Sequence, residues 1–214
     1  MNLLVIAAGV QYQRLPLDRL PDFEGAGAYY AATDMEARFC RNTDAVVIGG
    51  GNSAGQAAMY LSRFSNHVHV LVRGESLALS MSDYLLSRLT NDPKITIHYN
   101  TYTCELHGDD HLEAVSICNS QTAENKQIET RGLFVMVGAL PNTAWLSGLV
   151  QLCDKGFVRT GSDVGADSPY GTSQPGIFAV GDVRGGSVKR VASSVGEGSV
   201  VISKVWSYLQ GSAN

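Results

Sequence analysis

AVVIGGGNSAGQAAMYLSR, residues 45–63, is the stretch on which the fold turns. An apolar β-branched run, glycines at 49, 50 and 51 and an alanine-rich helical segment follow one another. That is the strand, turn and helix setting in which a G-x-G-x-x-G/A pattern carries meaning. Gly49 allows the tight turn, and Gly51 lets the backbone approach a pyrophosphate. Ala54, in the third position, keeps the helix close to the strand. The helix N-terminus then aims free N–H groups and positive dipole at an anion. Outward from this motif, Asp44–Ile48 reads as strand, Ser53–Phe64 as helix, His67–Val72 as strand, Ser80–Thr90 as helix and Ile95–Tyr99 as strand. Right-handed crossovers fold this β-α-β-α-β order into a parallel sheet.

The flanks read less regularly. Leu3–Ile6 is a short buried strand with Ala7-Ala8-Gly9 as its exit turn, Gln11–Gly27 a surface loop, and Tyr29–Cys40 a linker or partial helix. From Thr101 to Thr130 short alternating segments predict antiparallel hairpins covering one face of the parallel sheet. Gly132–Val137 is a buried strand, and Gly138–Asn142 is its Gly/Pro exit loop at the C-terminal edge, where such sheets place ligands. Phe157–Thr160 and Gly176–Val180 read as strands, and Lys189–Leu209 as a long helix interrupted at Gly196 and Gly198. Met81, Tyr84, Leu85 and Leu89 have the spacing of a helix core face.

Composition narrows the class. The chain has 214 residues, 44% hydrophobic, with a formal net charge of -4, enough for one large core or two small ones. It lacks the basic, aromatic-laced cluster of a nucleic-acid binder, and it contains no apolar run of membrane-spanning length and no convincing signal peptide. Neither nucleic acid nor membrane is expected as a partner, and the expected location is the cytoplasm. Cys40, Cys104, Cys118 and Cys153 show no C-x-x-C spacing, so buried free thiols are expected rather than zinc or a local dithiol. His67 and His69 share a strand face, yet no carboxylate or Cys completes a metal set, and strand-edge packing is the expected role. His107 and His111 flank the acidic tip Gly108-Asp109-Asp110 and read as hairpin surface.

Four motifs in order resemble the class II pyridine nucleotide-disulfide oxidoreductases, the thioredoxin-reductase-like flavoproteins. LLVIAAG, ending at Gly9, resembles the family's A-T-G strand, and Gly49, Gly50, Gly51, Asn52, Ser53 and Ala54 its NADPH fingerprint. Val137–Asn142, with Gly138, resembles the G-x-x-P-N loop, and TSQPGIFAVGDV the second FAD motif. The resemblance implies a Rossmann-like α/β NAD(P)-binding domain with a parallel sheet and an antiparallel β-meander, inserted in a partial FAD-binding domain. It divides the chain into a partial FAD-domain segment and hinge at 1–38, the NAD(P) domain at 39–138, and the C-terminal part of the FAD domain at 139–214. It further implies that Asp182 holds the ribityl chain of FAD, with Gly181 beside it in the cofactor site, while Arg190, Val191 and Ala192 meet the flavin ring at a helix start.

Two departures limit the transfer. Aligned on RFCRNTDAVVIGGG, the family's redox C-x-x-C falls at Ala32–Met35, where neither cysteine is present. The family's first FAD fingerprint has no counterpart before Leu3, so the chain reads as N-terminally truncated. Cofactor choice turns on VHVLVRGES: Val72 occupies the place where NAD sites carry an acid, and Arg73 follows, which favours NADP. Only this first arginine of the family's H-R-R-x-x-x-R pattern is kept, with Gly74 and Ala78 at the other two, and Glu75 is the ribose acceptor if the cofactor is NAD. The expected activity is hydride transfer from NADPH to FAD and onward to a small-molecule or protein acceptor outside the chain. A homodimer is among the assemblies implied. The alternative is a non-catalytic NAD(P)-binding module or inactive fragment; the absence of a Y-x-x-x-K dyad disfavours a short-chain dehydrogenase.

Overall fold

The computed structural model describes residues 3–211. In chain order it contains β1 (Leu4–Ile6), β2 (Val10–Tyr12), α1 (Leu20–Phe23), β3 (Ala28–Tyr29), α2 (Asp34–Phe39), β4 (Asp44–Ile48), α3 (Asn52–Leu61) and β5 (Val68–Leu71). There follow α4 (Asp83–Asn91), β6 (Ile95–His98), β7 (Thr101–His107), β8 (Ala114–Asn119), β9 (Asn125–Val135), β10 (Ala139–Pro141), β11 (Ile177–Ala179) and α5 (Val191–Gly211). These elements fall into two compact units, residues 13–138 and residues 1–12 with 139–214.

In the first unit, β6, β5, β4 and β9 lie side by side, with β3 also on β9, all parallel, and β8 and β7 continue antiparallel from the other half of β9. The alternation of side chains gives the parallel strands two apolar faces. Ala45, Val47, Val68 and Val70 pack under α3 and α4 with Ala54, Ala58, Leu61, Leu85 and Leu89. Val46, Ile48 and Leu71 pack under the meander with Leu106, Val115, Ile117 and Ile128. The expected hairpins therefore cover the face opposite the helices.

β9 belongs to both sheets. Asn125–Glu129 pairs with β8, whereas Thr130–Val135 pairs with β4, and the register slips at the changeover. The buried Thr130 hydroxyl spans that slip, donating to the Asp44 carbonyl at 2.7 Å and accepting the Gly132 N–H at 3.1 Å. A polar group that would otherwise interrupt the ladder thus satisfies it.

In the second unit β1 and β11 pair in parallel, and β2 and β10 pair antiparallel. Ile6, Leu146, Val150, Val158, Ala179 and Val183 form one small core; Phe178, Val180 and Val201 seat α5.

Several expectations need correction. Gln11–Gly27 is not all surface loop: it holds part of β2 and the short α1, whose Leu20 and Phe23 are buried because they plug the meander core. The Gly138–Asn142 exit loop contains β10, which β2 converts to strand. Phe157–Thr160 is not a strand; only Val158 makes bridges, to Leu152 and Arg184. α5 runs through Gly196 and Gly198 unbroken despite the glycine cost, and Glu197 between them accepts the Gly181 N–H and pairs with Arg184. Tyr84 turns outward beneath Arg88, leaving Met81, Leu85 and Leu89 as the core face. Cys104 and Cys118 are not free thiols but a disulfide across β7 and β8, which the hairpin brings into reach. Cys40 does remain a buried packing residue whose thiol burial pushes up to about 12, in line with an inert thiol. Among the described residues no helix is long and apolar enough to cross a membrane.

Candidate functional site

β4 ends at Ile48 and delivers the chain into Gly49, Gly50 and Gly51 before α3 begins at Asn52. Gly49 has φ of +145°, and a Cβ there would stand 2.5 Å from the Met136 carbonyl oxygen and 3.1 Å from the Ala54 Cβ. Only glycine fits this turn. The contact with Ala54, itself fully buried, shows why the third motif position must be small. A Cβ on Gly55 would meet Leu85 Cδ2 at 2.6 Å, so this glycine sets the close approach of α3 to α4. Sequence reading passed over Gly55, since its signal, one more small residue in an alanine-rich helix, does not distinguish packing from propensity.

No side chain caps α3. Gly55 is the first residue whose N–H bonds back, to the Gly51 carbonyl at 3.1 Å, so the amides of Asn52, Ser53 and Ala54 open onto the glycine turn. The segment after β5 braces this turn from outside. Ser80 Oγ donates to the Gly50 carbonyl at 2.6 Å, and the Ser82 N–H donates to Asn52 Oδ1 at 2.8 Å. Leu77, buried, sits 3.2 Å from where a Gly50 Cβ would lie. Arg73 lies at the start of that segment, exposed, and pairs with no carboxylate among the described residues. Gly138, with φ of +101°, follows β9 off the same edge of the sheet, since the Met136 N–H bonds the Ile48 carbonyl at 2.7 Å. The structure therefore brings Gly49–Ala54, Arg73 and Gly138 to the C-terminal ends of parallel strands in one unit.

The remaining candidates lie in the other unit. Gly9, with φ of +64° and open space where a Cβ would be, turns the chain out of β1. Asn142 pins this turn by donating from its backbone to the Gly9 carbonyl at 3.1 Å and from Nδ2 to the Ala8 carbonyl at 2.8 Å. Beside β1, β11 leads into a 3₁₀ turn, Gly181–Val183, that carries Asp182. Two residues not singled out from sequence fix that turn. Glu197 accepts the Gly181 N–H at 2.7 Å and pairs with Arg184 at 2.6 Å, with both side chains mostly buried. Arg184 and the Gly181 amide hold the Glu197 carboxyl below its usual pKa against the opposing pull of burial. Asp182 accepts only the Ser194 hydroxyl, at 3.3 Å, among the side-chain bonds described. Arg190 precedes α5, while Val191 and Ala192 begin it, and all three are exposed.

The position of the missing dithiol has become a helix start. Thr33 and Glu36 form a capping box at the head of α2, with the Thr33 N–H donating to Glu36 Oε2 at 2.9 Å and the Thr33 hydroxyl to the same oxygen. A further polar cluster lies under the meander. His69 bonds His98 at 3.0 Å and Asp44 at 3.1 Å, and His67 bonds Thr96 at 2.7 Å. A carboxylate thus does meet the histidines, contributed by the neighbouring strand. Among the described residues, however, no group of three or more side chains is gathered as a metal site.

The chain belongs to the pyridine nucleotide-disulphide oxidoreductase family, whose model matches residues 1–198. It is 31% identical over 209 residues to NADPH-dependent thioredoxin reductase 3 of Arabidopsis thaliana, covering 96% of this chain and 38% of that protein. It is 30% identical over 206 residues to an NADH dehydrogenase of Bacillus subtilis, covering 96% and 39%. The thioredoxin reductase of Streptococcus pyogenes superposes with a TM-score of 0.80 at 29% identity, over 98% of this chain and 66% of that one. The chain spans well under half the length of the two sequence relatives.

Proposed function

We propose that the chain binds NADPH at Gly49–Ala54 and Arg73, contributes Gly9, Gly181, Asp182 and the start of α5 to an FAD site, and acts as an NAD(P)H-dependent flavin oxidoreductase resembling thioredoxin reductase. The observation that carries this reading is the uncapped N-terminus of α3 facing a turn that only glycine can form. The fit is physical. Three unpaired amides and the helix dipole complement a pyrophosphate, and no Cβ blocks its approach. Arg73 supplies the cation that a 2′-phosphate requires. Asp182 retains acceptor capacity for a hydroxyl-bearing chain, and the start of α5 places positive potential where a reduced ring carries negative charge. When bound, nicotinamide and flavin supply hydride and electron transfer themselves, without an acid or base from the protein.

The electron acceptor in this proposal lies outside the chain, as a small molecule or a protein. What supports this is the capping box where the dithiol would stand and the high pKa of buried Cys40. The test is titration of the purified chain with NADPH and NADH, together with its absorption spectrum. NADPH should bind more tightly, and Arg73→Ala should weaken NADPH about tenfold, the size of one charge-assisted phosphate contact, while changing NADH little. Equal losses for the two nucleotides would remove Arg73 from the 2′-phosphate site. A chain that binds NADPH but shows no flavin band after incubation with FAD would favour the non-catalytic module.

A further inference from the structure

The loop that follows β5 is held by a neighbour that sequence reading gives no reason to connect with it. Val72 donates to the His98 carbonyl at 2.9 Å, its own carbonyl accepts the Thr101 N–H at 3.0 Å, and the Gly74 carbonyl accepts the Asn100 N–H at 3.1 Å. The β6–β7 turn therefore fixes the loop backbone. The β8–β9 turn, residues 120–124, is docked on it in turn, together with Asn119 at the end of β8. Ser120 donates its N–H to the Asn100 carbonyl at 2.8 Å, and Asn119 Nδ2 donates to the Tyr99 carbonyl at 3.2 Å. Asn119 Oδ1 also accepts the N–H groups of Gln121 and Thr122 at 2.9 and 3.0 Å, which presets the turn. From this fixed position Gln121 Nε2 donates to Glu75 Oε1 at 2.9 Å.

Glu75 is the one carboxylate between Val72 and Ser82. An acid at the end of this strand accepts ribose hydroxyls and selects NAD, and the same charge repels a 2′-phosphate. We infer that Gln121 is a specificity-determining residue: it anchors Glu75 on the β8–β9 turn, away from the ribose, so that Arg73 is the charge the nucleotide meets. This inference rests on the proposed nucleotide site.

The test is calorimetric titration of the whole chain with NADPH and with NADH, for the unsubstituted protein, Gln121→Ala, Glu75→Gln and the double variant. Both substitutions lie on exposed turns, and an unchanged melting temperature shows that the fold is kept. Gln121→Ala should lower the preference for NADPH over NADH about three- to fivefold, the scale of one exposed charge contact. In the Glu75→Gln background the same substitution should have no further effect, because no charge remains to be released. A preference unmoved by Gln121→Ala, or lowered equally in both backgrounds, overturns the inference while leaving the nucleotide site intact. Failure of the unsubstituted chain to bind either dinucleotide overturns the site itself and this inference with it.

Discussion

The two units solve the same problem, presenting a backbone turn at the end of parallel strands, with different resources. Unit 13–138 floors its glycine turn with five parallel strands sandwiched between helices and a meander, so the turn is positioned by packing. The unit formed by 1–12 and 139–214 floors its Gly181–Val183 turn with a two-stranded sheet and small cores. There the turn is positioned by a polar clasp, with Glu197 gripping Gly181 and Arg184 at once. Precision from a core tolerates changes in individual polar groups; precision from a clasp depends on each of them.

The strongest way to break this comparison is at Gly49. Gly49→Val places a β-branched side chain at φ of +145° against the Met136 carbonyl. It should cost about 3–5 kcal/mol and weaken NADPH binding at least about a hundredfold, read by thermal melting and titration. A variant that melts and binds normally would mean that the turn is not packing-determined. Next in size, replacing Cys104 and Cys118 together by Ser removes a cross-link closing a separation of 14 residues. That should cost the meander about 3 kcal/mol, seen as a lower denaturation midpoint that reductant no longer shifts.

The clasp provides the converse experiment. Arg184→Leu strands the Glu197 carboxylate at a site where the pair is 19% and 13% exposed. The expected cost is about 2 kcal/mol, below that of a fully buried pair because some water reaches it. An unchanged denaturation midpoint would show that the second unit, too, is held by its core.

The smallest effect is on pH. Burial, with positive neighbours, lowers His98 to about 4 and burial also lowers His69, although Asp44 opposes the latter shift; His67 and Lys126 face the same cluster. With folded pKa values below the ordinary 6.5, the folded unit binds fewer protons than the unfolded chain. The stabilisation is therefore fully present above about pH 6.5 and is lost as pH falls through about 4. About 1–2 kcal/mol should disappear across that window, after discounting for partial solvent access, and His98→Gln should flatten the profile.

The parts legible in the sequence were those set by local pattern. Apolar runs located β4, β5, β6 and the parallel half of β9, and Gly49 with Ala54 located the tight turn between β4 and α3, because period and turn chemistry are encoded within a few residues; the two-residue β3 was too short to leave such a pattern. What escaped depended on distant partners. The Cys104–Cys118 disulfide required hairpin register, and Asp44 joins His69 only through strand order. Glu197 lacks any local mark of its bond to Gly181. Val158 shows the opposite error, a strand-like residue whose surroundings permit only isolated bridges. Gln121 likewise carries no local mark of its bond to Glu75, which depends on the neighbouring loop.

The changeover strand β9 also has a consequence in time. Thr130 and Asp44, joined by one hydrogen bond, lie 86 positions apart in the chain. At ordinary elongation rates the glycine turn leaves the ribosome on the order of 4–17 s before the strand that completes its floor. During that interval β4, apolar from Ala45 to Ile48, presents an unpaired edge. Completion of the floor beneath this glycine turn therefore waits on translation of residues 125–135, and slow codons between 50 and 125 would lengthen the exposure of that edge to other nascent chains.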